Sequence, residues 1–274
     1  MTFKIDLHTH TSDFSHFIFA KINKKEYLQK ILTKLFRKGD KIIVGVAEFN
    51  SDGRYSKLVE TAKELSKDCI VEFGNEDYFI SIKKGEKIIY FIRTDEIETD
   101  KGHILIIGNK NKIDSRNLSH LLKTARKKRW IVIADHPLHK TGLSYFLISK
   151  IFSLKKLSLD KKTLEKNKEY FSSLELNSYF PEDWKKIRSF ARKNKIPLIS
   201  DSDAHFIKEF FDSYFEMENL DFKNISKFKK SFKRELRRHI KIHPKKHEFI
   251  FKYKHGFESL FFGKILSKLG LIKK

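Results

Sequence analysis

Eight short apolar runs alternate with stretches of helical periodicity along the first three quarters of the chain, and this alternation restricts the fold more than any other feature. The runs are FKIDL (3–7), KIIVGV (41–46), CIVEF (69–73), KIIYFI (87–92), HILIIG (103–108), WIVIA (130–134), SLELN (173–177) and IPLIS (196–200). Most are continuous in apolar residues, as expected of strands covered on both faces. Helical spacing fills KEYLQKILTKLFRKG (25–39), SKLVETAKELSKD (56–68), NLSHLLKTARKKR (117–129) and EDWKKIRSFARKN (182–194). In the first of these Leu28, Ile31, Leu32 and Leu35 share one face and belong to a core. Strands followed by helices predict βα units, and seven or eight strands within about 205 residues fit a closed or nearly closed barrel better than an open sheet.

A chain of 274 residues has room for one large α/β domain. No apolar run reaches the length of a membrane span and no signal-peptide pattern opens the sequence, so the expected location is the cytoplasm. Two segments stand apart. Residues 138–170 exceed an ordinary βα connection and carry SYFLISKIFSLKKLSL, an apolar and basic pattern that suits packing on the barrel better than a flap or a membrane-surface helix. From about residue 221 the composition turns basic: positions 225–247 hold ten Lys or Arg against one acidic residue, with phenylalanines at helical spacing. The expected division is therefore a barrel over 1–220 and a basic, helical extension over 221–274. Oligomeric state is not legible.

The single cysteine, Cys69, excludes an internal disulfide and any thiolate metal cluster, and within CIVEF it is expected to be a buried core thiol. Any metal must therefore be held by histidine and carboxylate, a donor set that suits Mn, Fe or Zn. The net charge of +23 points toward anionic partners such as nucleotides or nucleic acid. Lysine outnumbers arginine 47 to 11, however, so a compositional bias explains the charge equally well. Basic residues interleaved with Phe in 225–247 fit either a stacking groove for nucleic acid or an amphipathic helix with a solvated basic face.

Chemistry begins at KIDLHTHTSD (4–13). Side chains two apart on a strand point the same way, so His8 and His10 aim their imidazoles at a common point. The remaining candidates sit at edges of predicted strands: Glu76 after CIVEF, His103 opening HILIIG, His136 after WIVIA, and Asp203 with His205 after IPLIS. In a parallel barrel the C-terminal strand ends converge on one mouth, where such groups would meet and need a cation to hold them. Asp77 and Asp135 are expected as cap or turn residues, and His120 and His139 at the surface.

DLHTHTSD, GNED, KGHILIIG, DHP and DSDAH, in this order, resemble the motifs of the polymerase and histidinol phosphatase (PHP) superfamily over roughly residues 1–210. The resemblance implies a distorted seven-stranded βα barrel and metal-dependent phosphoesterase activity. It implies one metal held by His8, His10, Glu76 and Asp203, and a second shared through Glu76 with His103 and His136. A third ion would need Asp13, or less favourably His16, with His205 and a histidine of the second motif. Where the superfamily usually has Thr-Asp-His, this chain has Ala47, Glu48 and Phe49, so the third site is either absent or completed by Glu48 or Asn50. Asp201 stands where a glycine is usual.

The expected activity is hydrolysis of phosphomonoesters or phosphodiesters by water activated on two or three divalent ions, with His205 as general acid. The charge inclines the expected substrates toward nucleotides, oligonucleotides or nucleic-acid ends. Two alternatives are a nucleic-acid-binding protein with a vestigial site and a small-molecule phosphatase of histidinol phosphate type.

Overall fold

The computed structural model describes residues 2–10, 23–50, 53–65, 69–74, 78–139, 158–238 and 240–246. Asp13, His16, Glu76, Asp77, positions 140–157 of the long connection and everything beyond 246 lie outside the described residues. In chain order the elements are β1 (Thr2–Thr9), α1 (Lys24–Lys38), β2 (Lys41–Phe49), α2 (Arg54–Lys63), β3 (Ile70–Phe73), β4 (Phe79–Lys84), β5 (Lys87–Glu98), β6 (His103–Ile107), α3 (Leu118–Lys127) and β7 (Ile131–Ala134). They continue as α4 (Lys161–Asn167), β8 (Ser173–Asn177), α5 (Trp184–Asn194), β9 (Leu198–Asp201), β10 (Tyr214–Glu218), α6 (Ile225–Leu236) and β11 (Lys241–His243).

Nine strands follow one hydrogen-bonded path, β11-β10-β1-β2-β5-β6-β7-β8-β9. The path nearly closes on itself, because Thr9 bridges Ala204 in parallel register, with His10 N–H donating to the Ala204 carbonyl at 2.8 Å. The result is a mixed α/β barrel-like sheet. It departs from an all-parallel barrel at β6, which runs antiparallel to both β5 and β7. The departure matters for the site. In antiparallel register Glu98 faces His103, so the start of β6 lies beside the C-terminal end of β5.

All eight expected runs contain strands, and the differences have local reasons. KIIYFI extends through RTDEIE to Glu98, because Asp95 and Glu96 are buried inside the barrel instead of ending the strand in water. CIVEF lies off the main path, in a β3-β4 ribbon against the first half of β5. Cys69 there is half-buried against the core instead of within it. Close approach of β1 and β2 depends on Gly45: a Cβ at that position would lie 2.1 Å from the Leu7 carbonyl oxygen. The register shift between Asp6 and Thr9 occurs opposite this point.

Helix packing follows the sequence period. Asn23 caps α1 through its side chain, and Tyr27, Leu28, Ile31, Leu32 and Leu35 are buried. The basic segment after 221 supplies α6 and β11 to this same structure. Phe228, Phe232 and Leu236 join a core with Ile5, Leu7 and Phe215, while β11 extends the sheet from β10. Phe228 and Phe232 are 1% and 0% exposed, so neither ring is open for base stacking. Lys233 Nζ donates to the Trp130 carbonyl at 2.7 Å and Lys229 Nζ reaches the Lys128 carbonyl at 3.4 Å, covering chain that follows α3 with basic side chains. No helix among the described residues is long and apolar enough to cross a membrane.

Candidate metal centre

Strand ends β1, β2, β5, β7, β8 and β9, and the start of β6, meet at one mouth of the barrel. His8 and His10 project there from β1 and its continuation, and their Nε2 atoms are 3.2 Å apart. Asp203 Oδ1 lies 3.3 Å from His8 Nε2 and 3.2 Å from His10 Nε2. Glu96 Oε2 lies 3.7 Å and 3.5 Å from the same two nitrogens. Ligands about 2.0–2.2 Å from a common cation stand roughly 3–3.5 Å from one another. The His8, His10 and Asp203 atoms have that spacing and form one group of possible ligands, with Glu96 slightly farther out.

A second grouping adjoins it. His8, Glu96, Asp135 and His136 offer ligand atoms all within 4.8 Å of one another. His136 Nδ1 is 2.9 Å from Asp135 Oδ1, and His8 Nδ1 is 3.0 Å from Glu175 Oε1. For His8, the Glu175 carboxylate on the far nitrogen fixes the ring and leaves the near nitrogen for a cation, the usual support of a ligating histidine. His103 Nδ1 meets Glu96 Oε1 at 2.8 Å. His205 is stacked on His10 with ring centroids 4.2 Å apart, and its Nδ1 meets the Asp203 carbonyl at 2.8 Å. A third grouping, His139, Glu182 and Asp183, is of a different kind. There the Asp183 oxygens are engaged by His139 at 2.9 Å and by Lys186 at 2.8 Å.

Burial makes the electrostatics severe. His8, Glu96, Asp135, His136, Glu175 and Asp203 are all at most 6% exposed. Desolvation raises the Asp203 carboxyl to about 8, only partly opposed by His8 and His136. Burial would push His8 and His136 down, but the surrounding Asp203, Asp135 and Glu175 charges leave both well above the ordinary histidine value. Glu96 and Glu175, despite burial, are held well below the usual carboxylate range by the neighbouring histidines. Neither oxygen of Asp135 has a hydrogen-bond partner of acceptable geometry, although both are sealed from solvent. His136 and Asp203 adopt left-handed backbone conformations, with φ of 43° and 52°. Strain of this kind persists where surrounding structure holds a residue in a set position. Crowded carboxylates, imidazoles and orphaned oxygens together fit hard or borderline divalent cations.

Of the expected site residues, the structure brings together His8, His10, His103, His136, Asp203 and His205. Glu76 and Asp13 lie outside the described residues. Glu96 and Glu175 were not anticipated: Glu96 lies beyond the apolar part of β5, and Glu175 reads as one polar residue within a strand. A charged residue inside an otherwise apolar run, as in SLELN, was the available signal. Asp135 is no solvent-facing cap; it is wholly buried, 3.4 Å from His8 Nδ1. His139 is likewise half-buried and held by Asp183, instead of lying free at the surface. Glu48 accepts from Tyr55 N–H at 3.0 Å and pairs with Arg93 at 2.9 Å, while Asn50 accepts from Glu98 N–H. Both candidates for completing a third site are thus engaged elsewhere, and Phe49 lies against His103 with ring centroids 5.8 Å apart.

Fold and site define a mixed α/β barrel with a buried histidine and carboxylate cluster at its mouth. The protein is similar in fold to PsfC from Pseudomonas syringae PB-5123, at a TM-score of 0.60 and 11% identity, over 96% of this chain and 99% of that one. The lesion-specific endonuclease PfuEndoQ from Pyrococcus furiosus aligns at a TM-score of 0.45 and 18% identity, over 88% of this chain and 58% of that one. No protein-family model matches the sequence, and no curated protein matches it.

Proposed function

We propose that the protein is a metal-dependent phosphoesterase of the PHP superfamily, acting on phosphomonoesters or phosphodiesters. The observation that carries this reading is the convergence of His8 Nε2, His10 Nε2 and Asp203 Oδ1 within 3.3 Å of one another in a sealed site. The strands β1, β2, β5, β6, β7, β8 and β9, joined end to end by the Thr9–Ala204 bridge, are read as the superfamily's barrel. His8, His10, Glu96 and Asp203 would hold one divalent ion, and Glu96, His103, Asp135 and His136 a second, drawn from Mn, Fe or Zn. When bound, such ions supply a water acidic enough to attack at neutral pH and neutralise phosphoryl charge.

The chain's own residues do the remaining work. Glu175 orients His8 by accepting from Nδ1 at 3.0 Å. Asn177 donates to Asp203 Oδ2 at 3.0 Å, fixing that carboxylate. His205, held through Nδ1 by the Asp203 carbonyl, is the proposed general acid for the leaving oxygen. The expected substrates remain nucleotides, oligonucleotides or nucleic-acid ends, in keeping with the basic composition.

The test is elemental analysis and hydrolysis assays on the purified protein beside Asp203→Asn. Two metal equivalents and chelator-sensitive hydrolysis, both lost in the variant, are expected. Full activity in Asp203→Asn, or in wild-type protein stripped of metal, would overturn the proposal.

A further inference from the structure

Arg54, the first residue of α2, reaches the cluster from the side: its Nη1 lies 2.6 Å from His10 Nδ1. Its placement is built. Gly53, with φ of 79°, makes the left-handed turn into the helix. Glu48 then anchors the first turn by accepting from Tyr55 N–H at 3.0 Å. Glu48 is itself held by Arg93 at 2.9 Å, and Arg93 by Asp95 at 2.9 Å. The buried Tyr55 ring packs the turn onto the core.

This contact is not one that a metal-loaded site would keep. Guanidinium only donates, so His10 Nδ1 must be the acceptor here. A neutral imidazole that ligates through Nε2 carries its hydrogen on Nδ1, which would set two N–H groups against each other. Metal binding through His10 Nε2 would therefore displace Nη1 from Nδ1, with the α2 turn still holding Arg54 beside this end of the cluster. A guanidinium fork is matched to two oxygens of one anion. A terminal phosphate offers three non-bridging oxygens and two negative charges, leaving oxygens for both the metals and the fork. A phosphodiester offers two oxygens and one charge.

Resting on the phosphoesterase reading above, we propose that Arg54 anchors the substrate's phosphoryl oxygens and makes terminal phosphomonoesters the preferred substrates. The experiment uses the full chain reconstituted with Mn, comparing wild type, Arg54→Ala and Arg54→Lys. Probes are 4-nitrophenyl phosphate, bis(4-nitrophenyl) phosphate and, by calorimetry, inorganic phosphate. Expected for Arg54→Ala are a loss of about 100-fold in kcat/KM for the monoester, a clearly smaller loss for the diester, roughly tenfold weaker phosphate binding and unchanged metal content. Arg54→Lys, which keeps the charge and loses the fork, recovers only part of the loss. Unchanged monoester turnover and phosphate affinity in Arg54→Ala would overturn this inference alone. So would equal losses on both esters accompanied by metal loss, which would mean that Arg54 only supports His10. A wild-type protein that binds metal and cleaves neither ester would overturn the phosphoesterase reading and this inference with it.

Discussion

Strands β1 and β2 are parallel neighbours that end at the same mouth, yet they deliver different things. The end of β1 presents His8 and His10, whose near nitrogens face Asp203 and Glu96. The end of β2 presents Glu48, turned to Arg93 and the α2 backbone, and Phe49, laid against His103. One strand end faces the cluster; the next scaffolds a helix whose first residue carries a cation to it. Adjacent positions on one rim are therefore not equivalent. What a strand end can do depends on which partner its side chain finds across the barrel.

The largest effect should come from breaking the β1 end. His10→Ala should remove metal and lower hydrolysis by about a thousandfold or more, since a ligand and its cation leave together. Elemental analysis beside an activity assay checks both. A fully metallated His10→Ala protein would place the cation elsewhere.

The next effect is on pH dependence of the metal-free protein. Asp203 moves from its ordinary 3.8 to about 8, and His8 and His136 lie above 6.5, so the folded state holds these protons more tightly than the unfolded chain. Their contributions are present at low pH and vanish as pH rises through the folded values. Glu96 and Glu175 run oppositely, contributing above about 4.5 and failing as pH falls. Chelated protein should therefore lose thermal stability as pH rises from about 6.5 through about 8, and metal should restore it while releasing protons. Melting curves across that range, with and without Mn, test this; a flat profile in chelator would refute it.

Glu48→Gln sharpens the contrast at β2. It should cost about 1–3 kcal/mol by weakening the pair with Arg93, with metal content unchanged. Denaturant titration and elemental analysis separate the two, and loss of metal would make Glu48 part of the cluster after all. The smallest effect is expected of Gly53→Ala, about 1 kcal/mol from a φ of 79° that alanine adopts poorly. A stabilised Gly53→Ala protein would contradict the strained turn into α2.

The sequence alone was enough to locate eight strands, the helices between them and the histidines at the mouth. These depend on local pattern: period two or continuity for strands, period 3.6 for α1, and the two-residue spacing that puts His8 and His10 on one side. What it could not decide was anything set by a partner distant in the chain. Glu96 and Glu175 look like solvated residues until the barrel buries them against His103 and His8. Asp135 resembles a turn residue until the barrel sets the end of β7 across the mouth from His8. The antiparallel direction of β6, which carries His103 to the mouth, is invisible in HILIIG because an apolar strand reads the same in either direction. Phe228 and Phe232 fit a stacking surface until α6 packs them against Ile5, Leu7 and Phe215. In each case the chemistry of the side chain was legible and its environment was not, because desolvation and charge pairing arise only when strands distant in sequence close into one sheet.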